Sequence, residues 1–182
     1  HQVLSAILSG EDRMAHVVVW DLRLPRVAAA LVVGACLGLA GCLLQSSTRN
    51  PLGDPQLFGL GGGAAIVQAL AIAGLLGMGT WALLSLSVAA SLVGAGAIAL
   101  FASRQGISPA RLALIGVSIS ALAAAAATGI LAEARIFSSQ SLYFIGGSFV
   151  NRGWQDLLPA VPFLGVGLLL ALPVVGNLNV LG

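Results

Sequence analysis

The sequence predicts an all-α fold, a polytopic membrane helix bundle, and three observations lead to that prediction. Of its 182 residues, 58% are apolar and only 8% are charged, whereas soluble proteins carry about 25% charged residues. The charges lie in short clusters separated by long neutral stretches. A water-facing surface cannot be built from such a chain. The net charge of +2 is small and scattered, so we expect no nucleic-acid partner.

The stretches without charge predict five membrane spans. A hydrocarbon core of about 30 Å needs about 20 apolar residues per helix. The neutral stretch 55–103 is too long for one helix and therefore holds two, separated by a glycine-rich turn at 77–80. We expect spans near 27–47, 57–77, 81–102, 111–132 and 157–176.

Residues 1–26 form a separate segment ahead of the predicted transmembrane domain, 27–182. They are more polar, and we interpret them as an interfacial helix on the membrane surface. Trp20, Arg23 and Arg26 are the expected interface anchors at headgroup level, because Trp and Arg are enriched there. The chain begins at His1 and ends in an apolar run, which we interpret as a fragment of a longer protein.

Small residues within the spans predict close helix packing. Lipid gives helices no hydrophobic drive to associate, so contact between backbones must replace it. Gly34 and Gly38 are four residues apart, as are Gly59 and Gly63, and each pair shares one helix face. The run 59–63 superficially resembles a dinucleotide-binding loop, but no strand precedes it, so we favour helix packing.

The connections differ between the two predicted sides. Segments 45–56 and 103–110 are short, contain proline and are the expected moving parts, whereas 133–156 is longer and carries charge. The side of the N-terminal segment collects five arginines and the other side three. That count favours a cytoplasmic N-terminus, although acidic residues offset it, so the sequence physics leaves the orientation open.

Catalytic chemistry finds little support. The chain contains no lysine, which excludes a Gly-Lys-Ser/Thr phosphate loop and a Schiff base. His16 lies alone, and Cys36 and Cys42 lack metal-ligand spacing and are interpreted as packing thiols. No span carries a central carboxylate, which argues against ion coupling. A transporter driven by another polypeptide fits best, with a secondary transporter or a membrane scaffold subunit as alternatives.

Several motifs then occur in a fixed order along the whole chain. Together they closely resemble the permease subunits of iron-siderophore, haem and cobalamin ABC importers. The motifs are Arg23-Leu24-Pro25-Arg26, Gly34-Ala35, Arg49-Asn50-Pro51-Leu52, Arg111-Leu112-x-Leu114-x-Gly116-Val117, Gly146-Gly147-Ser148 and Asn177-Leu178-Asn179.

The resemblance implies a multi-pass permease subunit in the cell (inner or plasma) membrane. Such a subunit has ten membrane helices, of which this chain is similar to the second to sixth. It works as a homodimer or pseudo-dimer with two cytoplasmic ABC ATPases and an extracytoplasmic substrate-binding protein. The resemblance therefore implies a transport subunit rather than an enzyme, without catalytic residues, metal ligands or cofactors of its own.

The resemblance also suggests roles for individual residues. Ser108, Pro109 and Ala110 match in position the turn that narrows the cytoplasmic end of the pathway. Where cobalamin importers carry hydroxyl residues, this chain has Pro109 and Ala110, which departs from their pattern. On the same side, Gln45, Asn50 and Pro51 either line the pathway or only satisfy backbone groups at a helix end. The residues expected to face the binding protein are Arg135, Arg152 and Trp154.

Overall fold

The computed structural model describes residues 13–51, 53–105, 109–135, 147–150 and 152–180. These residues are helical or irregular and include no strand, which confirms the all-α prediction. Within the described ranges, four helical segments are long and apolar enough to cross a membrane: Val17–Thr48, Thr80–Phe101, Arg111–Glu133 and Trp154–Pro173. The α-helices are α1 (Arg13–His16), α2 (Leu24–Thr48), α3 (Leu60–Ile72), α4 (Thr80–Gln105), α5 (Pro109–Glu133), α6 (Trp154–Leu157) and α7 (Ala160–Val180).

The first long helix begins well before the predicted span 27–47. A π-helix, Val17–Arg23, joins α1 to α2, so the chain is helical without interruption from Arg13 to Thr48. The predicted boundary between segments 1–26 and 27–182 is therefore not a break in the helix. Pro25 is the second residue of α2, but because the preceding residues are already helical, its missing backbone N–H leaves an earlier carbonyl without a donor. Residues 1–12 of the predicted interfacial segment lie outside the described residues.

The second predicted span, 57–77, contains a helix of only 13 residues, α3. Glycines in the left-handed region lie just outside both of its ends, Gly59 with φ +77° and Gly74 with φ +74°. The backbone N–H of Gly74 donates to the Ala71 carbonyl at 3.0 Å, and that of Leu75 donates to Leu70. These bonds end the helix before the predicted turn at 77–80. At 1.5 Å per residue, α3 is about 20 Å long, shorter than the bilayer core.

Helix α3 lies between α4 and α5 and forms the core with them. It runs antiparallel to α4, since a Cβ added at Gly59 would meet Ile98 and one added at Gly63 would meet Ala90. The predicted close packing is found at both glycines, but Gly59 lies outside α3 with φ +77°, so the prediction that the two share one helix face is wrong. On the α5 side, the buried cluster comprises Ala69, Ala127 and Leu131.

Helices α2 and α7 form a second, looser pair. A Cβ added at Gly167 would lie 4.0 Å from Leu39 Cδ2. At Gly34 and Gly38, nothing in the described part of the chain lies within 4 Å of an added Cβ. The close contact predicted for this glycine pair is therefore not made within those residues.

The bundle has two ends that matter for function. The loop end holds the C-terminus of α2 and a 3-10 helix, Pro55–Phe58, which the Ser120 hydroxyl of α5 contacts through the Gln56 carbonyl. The tryptophan end holds Trp20 and Trp154, whose hydrogen bond joins the start of the first long helix to α6. The C-terminus of α2 and residues 152–157 therefore lie at opposite ends, and part of the predicted connection 133–156 lies outside the described residues.

Candidate functional site

Gln45 organises the loop end. Its backbone carbonyl accepts hydrogen bonds from the backbone N–H of Arg49 and from that of Asn50, the latter at 3.2 Å. Its side chain Nε2 donates to the Gly53 carbonyl at 3.4 Å. Arg49 adopts a left-handed conformation, with φ +49°, which ends α2 and turns the chain back. One residue therefore fixes both ends of the turn 49–53.

An open groove of about 390 Å³ lies beside this turn. Gly53 in its wall is buried, and an added Cβ there would lie 3.2 Å from the Asn50 carbonyl oxygen. The Gln45 side chain therefore links Gly53 to the end of α2 and lines this groove, while its role in the pathway stays a prediction. The lining residues are Leu37, Gly41, Gln45, Pro51, Gly53, Asp54, Pro55 and Gln56.

The far wall of the groove is held by two hydrogen bonds. Asp54 Oδ1 accepts the backbone N–H of Gln56 at 2.8 Å and so caps the 3-10 helix. The Ser120 hydroxyl donates to the Gln56 carbonyl at 3.2 Å, which fastens the 3-10 helix to α5. The sequence analysis predicted neither contact. The cap could have been inferred from Asp54-Pro55, which is typical of such a turn, but the bond between Ser120 and Gln56 depends on the fold.

The predicted gate residues are only partly within the described structure. Pro109 and Ala110 are the first two residues of α5, not the turn before it. Proline suits a helix start because its φ is already helical and its missing N–H has no partner to lose there. Ser108 lies outside the described residues.

At the tryptophan end, the indole Nε1–H of Trp154 donates to the Trp20 carbonyl at 3.0 Å. The ring of Trp20 stacks on His16 with 6.0 Å between ring centroids. The sequence assigned the two tryptophans to separate roles and did not predict their contact. A signal was present, because Pro25 within a helix leaves an earlier carbonyl without a donor.

The predicted docking residues are exposed at this end. Arg152 pairs with Asp156, four residues later, at 3.7 Å between Nη1 and Oδ1; the Arg152 side chain is exposed and Asp156 is half-buried. Arg135 ends α5 in a left-handed conformation with φ +52°, and its side chain is exposed. The anchors Arg23 and Arg26 are exposed as well. The rest of the predicted connection, 136–146 and 151, lies outside the described residues.

Metal-ligating residues are sparse where the structure is described. In those residues no group of three or more His, Cys, Asp or Glu side chains could hold a metal ion. Cys36 is half-buried and Cys42 is exposed, and both are free thiols.

Comparison with known proteins identifies the family of this chain. The sequence model of the FecCD transport family matches residues 1–182. The chain belongs to the FecCD transport family. The resemblance noted from the motifs is thereby confirmed, and the chain is a multi-pass membrane protein.

Relatives within the family are import permeases. The Fe(3+)-citrate import system permease protein YfmD of Bacillus subtilis is 31% identical, over 94% of this chain and 54% of the relative. The vitamin B12 import system permease protein BtuC of Serratia proteamaculans is 37% identical, over 86% of this chain and 48% of the relative. The iron(3+)-hydroxamate import system permease protein FhuB of Bacillus subtilis is 34% identical, over 93% of this chain and 44% of the relative.

A solved structure shares the fold. It is an inward-facing conformation of a protein assigned to the metal-chelate type of ABC transporter, with a TM-score of 0.70 and 28% identity. The alignment covers 100% of this chain and 61% of that one. The chain spans about half the length of the curated relatives it matches.

Proposed function

We propose that this chain is part of the membrane-spanning permease subunit of an ATP-driven ABC importer in the cell membrane. Its cargo would be an iron-siderophore or a related metal chelate, such as haem or cobalamin. The observation that carries the proposal is the family match along residues 1–182, with relatives named as import permeases for ferric citrate, hydroxamate and vitamin B12.

The proposed partners are a second permease subunit, two cytoplasmic ABC ATPases and an extracytoplasmic substrate-binding protein. The absence of lysine from the sequence supports a separate ATPase, since a phosphate loop needs that residue. Four long apolar helices support lipid as the surroundings of the chain. In this assignment the chain conducts the chelate and performs no chemistry on it.

The two ends take different roles in this proposal. At the loop end, Gln45, Asn50 and Pro51, together with residues 108–110, would narrow the cytoplasmic end of the pathway. The groove beside Gln45 supports that role, because displacing the turn 49–53 would change its width.

At the tryptophan end, Arg135, Arg152 and Trp154 would face the binding protein. Their exposure supports this role, because a docking protein must reach them. Trp20, Arg23 and Arg26 would anchor the same end at the lipid interface, where exposed tryptophan and arginine side chains are stable.

Uptake into proteoliposomes tests the proposal. The full-length subunit is reconstituted with its ATPase and binding protein, and ferric citrate, a ferric hydroxamate, haem and cobalamin are offered in turn. We expect one of these chelates to accumulate only with ATP. Accumulation that persists with an inactivated ATPase would instead identify a secondary transporter, and no accumulation of any chelate would favour a scaffold.

A further inference from the structure

The Trp20 carbonyl lacks the usual donor within its own helix. An α-helical register would pair it with the Leu24 N–H, but that group donates to Val19 instead, five residues back. The next donor in this π register would be the N–H of residue 25, and Pro25 has none. The Trp154 indole supplies the missing hydrogen bond from 134 residues away.

The turn that carries Trp154 is itself held firmly. The Asp156 carboxylate has two partners in the turn. Its Oδ2 accepts a hydrogen bond from the Gly153 backbone N–H at 3.2 Å, and its Oδ1 lies 3.7 Å from the Arg152 guanidinium. At the C-terminal end of the turn, Leu157 is 6% exposed, and Pro159, two residues later, is fully buried. Trp154 is therefore presented from a short, anchored turn rather than from a free loop.

The same contact fixes two helices relative to each other. Trp20 precedes α2 by four residues, and Trp154 precedes α7 by six. Leu39 and Gly167 approach each other further along both helices, so α2 and α7 run parallel, with the tryptophan hydrogen bond just ahead of both. Pro25, whose missing N–H leaves the Trp20 carbonyl without a donor, is fully buried at the second position of α2.

We propose that Trp20, Pro25 and Trp154 form a tryptophan junction that holds the N-terminal end of the first long helix and the turn 152–157 as one unit. In this view Trp154 is a positioning residue, because it sets where Arg152 stands relative to the first long helix. Its functional consequence, capture of the binding protein, rests on the proposed function.

A distance measurement tests the junction without any assumption about transport. Spin labels are placed at the exposed positions Leu22 and Gln155 of the full-length subunit, with cysteines elsewhere, including Cys36 and Cys42, replaced by alanine. Trp154→Phe keeps an aromatic ring and removes the N–H donor. We expect a narrow distance distribution in the parent and a broadened one in this variant. An unchanged distribution would overturn the junction.

Two further variants sharpen this test. Trp81→Phe removes an exposed indole at the start of α4 and should leave the distances unchanged. Pro25→Ala restores a backbone donor beneath Trp20, so Trp154→Phe should broaden the distances far less in that background. Equal broadening in both backgrounds would contradict the role given to Pro25.

A binding measurement tests the positioning role. The fluorescently labelled binding protein that co-purifies with the full-length transporter is titrated onto transporter in nanodiscs. Loss of one neutral hydrogen bond predicts about fivefold weaker binding for Trp154→Phe, with Trp81→Phe at parent affinity. Parent affinity in a variant with broadened distances would overturn the positioning role. If the parent transporter fails to bind as well, the proposed function fails, while the distances still decide the junction.

Discussion

Gly63 of α3 lies directly against the backbone of Ala90 in α4. A Cβ added at Gly63 would stand 2.5 Å from the carbonyl carbon of Ala90 and 2.5 Å from its oxygen. Backbone atoms cannot move aside as a flexible side chain can. The antiparallel contact between these helices therefore depends on glycine at this position, as expected where close approach replaces a hydrophobic drive.

Gly63→Ala should lower the stability of the bundle by about 1–3 kcal/mol, because the added methyl group overpacks the contact between α3 and α4. The melting temperature of the full-length subunit in detergent, followed by intrinsic fluorescence, measures the loss. Gly61→Ala is the matched control, since position 61 lies in the same helix with nothing within 4 Å of an added Cβ. Equal losses in the two variants would contradict the steric explanation.

Gly74→Ala should also destabilise the protein, for a conformational reason. Gly74 has φ +74° and open space around an added Cβ, so only the backbone conformation is strained by a side chain. A left-handed alanine costs about 1–2 kcal/mol. Gly77→Ala, without a positive φ and with open space, is the control in the same melting experiment. A melting temperature for Gly74→Ala equal to that of the control would refute this account.

Charge distribution indicates where spans can lie, because a membrane helix must exclude charge along its whole length. It could not locate the end of α3, since the neutral stretch 55–103 contains several glycines and only the fold selects Gly74 over 77–80. A left-handed glycine and a helical glycine look identical in a sequence. The break was therefore expected, but its position and the short length of α3 were not.

The residues of the candidate site also divide into features that the sequence displays and features that only the fold sets. The place of Gln45 at a span end was foreseeable, whereas its bond to Gly53 depends on how the turn folds. Pro25 signalled an unpaired carbonyl, but no local pattern identifies Trp154 as the distant donor. Contacts between residues far apart in sequence are set by helix packing, which a single sequence does not display.

Gln68 and Ser87 should be energetically coupled. Gln68 Nε2 donates to the Ser87 hydroxyl at 3.1 Å, and that hydroxyl, in a side chain only 5% exposed, donates to the Leu83 carbonyl at 2.7 Å. A double-mutant cycle with Gln68→Leu and Ser87→Ala should give a coupling of about 0.6 kcal/mol, typical of polar pairs between membrane helices. Strictly additive effects on unfolding would show that the bond contributes nothing.

Gln45→Met should loosen the turn 49–53, because it removes the Nε2 donor to Gly53 and keeps the side-chain length. Hydrogen exchange of the backbone amides in this turn should accelerate about fivefold, the equivalent of one hydrogen bond. Ser47→Ala is the control, since its hydroxyl bonds only to Leu43 within the same helix and is exposed. If both variants exchange at the parent rate, Gln45 does not hold the turn.

Arg152→Glu should weaken capture of the binding protein, because Arg152 is 55% exposed at the tryptophan end and its pairing with Asp156 leaves it accessible. One exposed ion pair contributes at most about 1 kcal/mol, so we expect roughly fivefold weaker binding at low salt. Arg104→Glu makes the same charge change on an exposed side chain at the loop end and should bind normally. The difference between the two variants should shrink in 1 M salt, where the Debye length falls to about 3 Å. A difference that salt leaves unchanged would point to altered folding of the turn instead of a charge contact.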